Sequence, residues 1–224
     1  MFQILRGDFQ YALENLSVIT EDTGEEFVER LGQHLFSYYF WQIYPLTGDE
    51  SLLQRFYEKT NHDPKCWAQL FDNVGRSLRN SGKHLDKELI PRAIAFFDWR
   101  FEEAQAQELQ AFTFWLDAEC LDPEWRLRSY AKILELGRGK NIGLSFEVSV
   151  LHKLLPDHVP SVVECFAKIT DALDQTTQMY IAAEYGRPIL RAGLNAQDAR
   201  VRENAERARE NLLKLARFDF LDLQ

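Results

Sequence analysis

Leu121-Asp122-Pro123-Glu124-Trp125 carries a clear helix-start signal. An aspartate directly before a proline marks a helix start. The carboxylate accepts from free amides of the first turn, and the proline sits where no donor is needed. Further start signals lie at Thr47, His84 to Asp86, His158 to Pro160 and Asn195 to Asp198. Together with Asp122 they recur with a period of about 37 residues. Within most of these units the hydrophobic pattern supports two helices parted by a short polar break. An amphipathic pair of that size needs neighbours to bury its second face. The expected fold is all-α, built of antiparallel helix pairs stacked in sequence order.

The helices read outward from that point. The one opened by Asp122 should end near Gly137 to Gly139, and the next should span about 144 to 155 and stop at Pro156. Over 160 to 173, Val162, Phe166, Ile169 and Leu173 fall on one face. A helix near 178 to 193 contains Pro188, which should kink or split it. The last, about 197 to 216, puts Val201, Ala205, Ala208, Leu212 and Leu215 on one stripe, with Glu203–Arg207 and Glu210–Lys214 as i,i+4 pairs. Upstream, Thr23-Gly24-Glu25-Glu26 and Thr47-Gly48-Asp49-Glu50 are capping boxes, opening helices at about 24 to 44 and 48 to 60. Asp63-Pro64 opens another, which runs to about Ser81. The segment 87 to 119 reads as two aromatic-rich helices broken near Gln105 to Gln107. No alternating strand pattern is present. With only 11 Gly and 7 Pro the chain has few turns, which favours long helices over many short strands.

This is the footprint of an α-solenoid of the HEAT or TPR sort over residues 1–224 as one repeat domain. The side chains themselves do not recur from unit to unit, so an irregular helical bundle stands as the alternative. Met1 to Leu5 carries no capping signal. Two readings of that start stay open: a segment of a larger protein, and a chain with a frayed first helix.

Composition narrows function. The net charge of -9 repels a phosphate backbone, which argues against nucleic acid as the default partner. Cys66, Cys120 and Cys165 are odd in number, far apart and set in helical patterns. They read as small buried hydrophobes of a reduced, cytoplasmic protein and not as a disulfide framework. Neither a signal peptide nor an apolar run long enough to span a bilayer is present.

Candidate sites are few. Arg126, Arg128, Lys132, Arg138 and Lys140 form the best local basic set, where an acidic partner segment could dock. The loop Gly137 to Gly143 lacks the Gly-Lys-Ser/Thr ending of a Walker A loop and reads as a connection. His62 and Cys66 stand four apart without a second ligand pair, so no metal is expected. His152 and His158 flank Pro156 with no carboxylate or cysteine companion in sequence, and no cofactor pattern is present.

Two resemblances complete the reading. Arg79-Asn80-Ser81-Gly82-Lys83-His84 resembles the short motif of HEPN-type ribonucleases. That likeness implies His84 as the proton-transfer group at a ribose hydroxyl and Arg79 as the phosphate-stabilising group. The second likeness rests on Phe97-Asp98-Trp99-Arg100-Phe101-Glu102-Glu103, Leu121 to Trp125 and Val163-Glu164-Cys165. It continues through Pro188-Ile189-Leu190-Arg191-Ala192-Gly193-Leu194 and the segment from Asn204 to Leu221. These stretches resemble the C-terminal helical-repeat region of large bacterial multidomain proteins, NTPases and effectors linked to defence against phage. That resemblance implies a non-enzymatic interaction or sensor segment, binding a protein partner or another copy of itself. The ribonuclease or toxin reading is the alternative.

Overall fold

The computed structural model describes residues 68, 72, 74–76, 78–80, 89–104, 108, 112–137, 144–174, 176 and 181–222. These residues are helical or in turns, with no strand among them. No described helix is long and apolar enough to cross a membrane. The chain divides into two compact units, Met1–Val74 with Leu85–Ala111, and Gly75–His84 with Phe112–Gln224. The predicted starts at Thr47 and His84 to Asp86, both capping boxes and the His62–Cys66 pair lie outside the described residues.

In the first unit, α1 (Leu89–Glu103) buries Ala93 and Phe97, and Phe97 stacks on Phe101 one turn later with ring centres 5.4 Å apart. The helix ends at Glu103, just before the predicted break at Gln105.

In the second unit the order is α2 (Thr113–Leu116), α3 (Pro123–Gly137), α4 (Leu144–Leu154), α5 (Val159–Asp171), α6 (Ala183–Leu194) and α7 (Ala199–Lys214), followed by a 3-10 turn at Phe218–Phe220. Local chemistry explains the starts. Asp122 accepts from the Trp125 amide at 2.8 Å, with Pro123 at the first helical position. Asp198 accepts from the amides of Arg200 at 2.8 Å and Val201 at 3.4 Å. His158 precedes α5 without capping it, and Pro160 sits in the first turn. Asn195 closes α6 by donating its side-chain amide to the Arg191 carbonyl at 2.9 Å.

Two expectations shift. α6 begins at Ala183, about five residues later than its pattern predicts, and it continues through Pro188 unsplit. Pro188 is the sixth residue of α6, so the helix forgoes the bond an amide there would make to the Glu184 carbonyl and still runs on to Leu194. In the last aromatic-rich segment Glu108 and Thr113–Leu116 are helical among the described residues, and the helix stops before 119.

α5 is the centre of this unit. It packs on α3 and on α7, and it also touches α4 and α6. α4 and α6 pack on each other, α6 packs on α7, and α2 rests on α3 and α4. The predicted face of α5 is fully buried at Val162, Phe166 and Ile169. Val163, Cys165 and Ala167 are buried as well, so α5 is covered on more than one side. Where α5, α6 and α7 meet, Gly193 lets the backbones close in. A Cβ there would stand 2.7 Å from the Ala205 Cβ and 3.0 Å from Val163 Cγ1.

Side-chain bonds between helices follow one register. Thr113 bonds Glu147 across 34 residues, Lys153 bonds Asp117 across 36, and Ser161 bonds Glu124 across 37. Cys165 donates to the Leu127 carbonyl across 38, and Asn211 donates to Asp171 across 40. These links join residues 34 to 40 positions apart in sequence.

Candidate functional site

Among the described members of the basic set, Arg126 does not share the surface of Arg128 and Lys132. Arg126 is 5% exposed and turns inward, donating Nη1 to the Leu116 carbonyl at 2.9 Å. It falls on the buried side of α3, one residue before core Leu127. Burial lowers the Arg126 pKa, with Asp117, Glu119, Cys120 and Asp122 acting against that shift. Arg128 and Lys132 are exposed, while Arg138 and Lys140 lie outside the described residues.

Arg79 is held in a structural arrangement. Its Nε lies 2.8 Å from Asp117 Oδ2, and its guanidinium stands over the Phe146 ring at 5.1 Å and the Phe114 ring at 5.6 Å. Asp117 is almost buried and also takes Lys153 at 3.3 Å. An arginine engaged on three sides in this way braces α2 against α4. His84, its partner in the ribonuclease-like motif, lies outside the described residues.

His158 does have a carboxylate companion, contrary to the sequence reading. Its Nδ1 lies 2.7 Å from Glu124 Oε1, and Ser161 donates to Glu124 Oε2 at 3.1 Å. Both groups bind the same carboxylate, so Ser161 is not bonded to the imidazole as a nucleophile–base pair requires. Glu124 sits in the first turn of α3 and ties down the first turn of α5. The expected role of the cysteines holds at Cys165, which is fully buried. Burial keeps its thiol protonated far beyond the ordinary range. Cys120 is half-buried and donates to the Leu78 carbonyl at 3.6 Å, and Cys66 lies outside the described residues. Among the described residues no three His, Cys, Asp or Glu side chains are grouped to hold a metal.

Two features escaped sequence reasoning. The first is an acid in the core: Glu147 is 0% exposed, with Thr113 Oγ1 donating to its Oε1 at 2.6 Å. Its Oε2 and the buried Tyr130 hydroxyl have no hydrogen-bond partner among the described residues. A glutamate following Phe146 in an amphipathic pattern carries no sign of which way it faces.

The second is the C-terminal turn. Phe220 is fully buried under Gly186, where a Cβ would come within 3.0 Å of its ring and 3.3 Å of Phe166. Its neighbours Phe218 and Leu221 are 68% and 62% exposed. α7 ends in a Schellman arrangement: Ala216 N–H donates to Leu213 O at 2.9 Å and Arg217 N–H to Leu212 O at 3.0 Å. This places Ala216 at φ 61°, a left-handed conformation that favours glycine. Two arginines then clamp the turn. Arg217 donates to the Ile181 carbonyl and to Asp219, both at 2.7 Å. Arg187 donates to the Asp219 carbonyl and, at 2.6 Å, to Asp222. Bonding to Arg217 and Arg187 holds the Asp219 and Asp222 carboxyls, respectively, below the usual carboxylate range. A signal was present in Arg217-Phe218-Asp219-Phe220-Leu221, where charge and aromatic alternate directly after a helix.

Compared with protein-family models, curated proteins and solved structures, the chain matches none.

Proposed function

We propose that this chain is a non-enzymatic helical-repeat module, a short HEAT-like α-solenoid, that binds a protein partner or a second copy of itself. The observation that carries the reading is the register of its cross-links, each spanning about one period of the sequence. The alternation of neighbours supports it too: α3, α5 and α7 follow one another, and α4 adjoins α6. Arrays of this kind work through their surfaces.

Among the described residues, Phe218 and Leu221 are exposed anchors on that surface. Exposed apolar side chains on a backbone clamped by Arg187 and Arg217 lose little freedom on binding, which is what an interface hot spot requires. The net charge of -9 steers basic partners towards the chain. The likeness to helical-repeat segments of bacterial defence-type proteins supports a sensor or scaffold role in a cytoplasmic setting.

The test compares the chain with a Phe218→Asp, Leu221→Asp double variant, by affinity capture from source cells and by sedimentation. Both side chains are exposed, so the variant should fold normally. The expected result is a loss of about tenfold or more in retention of a stoichiometric partner, or in self-association. Equal retention and equal oligomeric state in both chains would refute the assignment of this surface.

A further inference from the structure

We propose that Glu147 is a proton-operated latch in the core: uncharged it holds α2 on α4, and ionised it releases that joint. The latch is independent of the binding role above. Glu147 is wholly buried on α4 and meets α2 through the Thr113 hydroxyl at 2.6 Å. Its second oxygen finds no donor among the described residues. A charged carboxylate left with one hydroxyl and no cation in a core is heavily penalised, whereas the protonated acid is tolerated.

Among the described residues no cation bonds the Glu147 carboxyl. Thr113 faces Glu147 from α2, and Tyr130 on α3 lies close enough to feel its charge, with Cys165 of α5 beyond. α6 approaches α4 at His152 through Tyr185, with ring centres 5.6 Å apart. Of the cations around α2, Arg79 and Lys153 are bound to Asp117, and Arg76 stands over the Phe114 ring at 4.0 Å. Burial pushes the Glu147 carboxyl above the ordinary glutamate range, and the bonds from Thr113 and from the Glu147 backbone amide only partly oppose it.

The joint is small enough to open without the rest of the unit. α2 is one turn, held to α4 by Thr113–Glu147, by Lys153–Asp117 and by Phe114 against Phe146 at 6.0 Å.

The sign follows from linkage. The folded chain holds this proton to higher pH than the unfolded chain. The stability it contributes is complete below the ordinary glutamate range and is lost as pH rises to the raised folded value. Within that window the folding constant should fall by up to about tenfold per pH unit.

The experiment compares the full chain with Glu147→Gln, which mimics the protonated acid, in urea unfolding from about pH 4 to about pH 9. Wild type should lose stability relative to Glu147→Gln as pH rises. Amide exchange in α2 and α4, corrected for its intrinsic pH dependence, should accelerate in wild type alone. Thr113→Val, which removes the donor favouring the charged form, should extend the fall to higher pH. Should Glu147→Gln fail to fold, the carboxyl carbon-13 titration of Glu147 in wild type decides. Parallel stability curves, equal exchange in both chains, or titration within the ordinary glutamate range would overturn the proposal.

Discussion

α5 and α7 are neighbours of similar length, and they bury their residues differently. α5 buries Val162, Val163, Cys165, Phe166, Ala167, Ile169 and Thr170, which covers more than one side of the helix. α7 buries only Val201, Ala205, Ala208 and Leu212, a single stripe at helical spacing, and its exposed positions include Arg200, Glu203, Glu206, Arg207 and Glu210. α5 has helices on several sides, whereas α7 meets α5 and α6 and then the 3-10 turn. A helix thus records its number of neighbours in the width of its apolar face.

The comparison can be broken most decisively at Phe166. This side chain is fully buried in α5, beside Gly186 and close to Phe220. Phe166→Ala should destabilise the chain by about 3–5 kcal/mol, read as a lower urea midpoint. A loss within the range of exposed positions would mean that α5 is not doubly covered.

The junction between the two helices gives the next effect. Gly193→Ala gains helix propensity but places a methyl 2.7 Å from the Ala205 Cβ, and neither atom can rotate away. The net expectation is a loss of about 1–3 kcal/mol. Adding Ala205→Gly to the same chain should restore much of it, and additive losses in the double variant would show that the two sites are not in contact.

The smallest effect has the opposite sign. Ala216 ends α7 at φ 61°, so Ala216→Gly should stabilise by about 1 kcal/mol, seen as a higher melting temperature. A loss would show that the left-handed turn is not populated in solution.

How much of this was legible depends on where the deciding partner lies. Asp122-Pro123 and Asp198 could be read as starts because a cap bonds amides two or three residues away. The α5 and α7 stripes were legible for the same reason, since helical spacing repeats within a few residues. The candidate site was much less so. The basic set failed at Arg126 because the face of α3 that turns inward depends on Leu116 and the core around it. Arg207 was expected to pair with Glu203 one turn away, yet its Nε lies 3.3 Å from Asp171 on another helix.

What the sequence alone determined, then, is helical class, the starts at Asp122, His158 and Asp198, and the buried stripes. These follow from capping and 3.6-residue periodicity, which act over a single turn. Packing between helices set the rest: Glu124 binds His158, Glu147 is buried against Thr113, and Phe218 and Leu221 face out while Phe220 faces in. Each of those outcomes depends on side chains about 35 residues away. Chain-local chemistry cannot choose among such partners until the helices have packed.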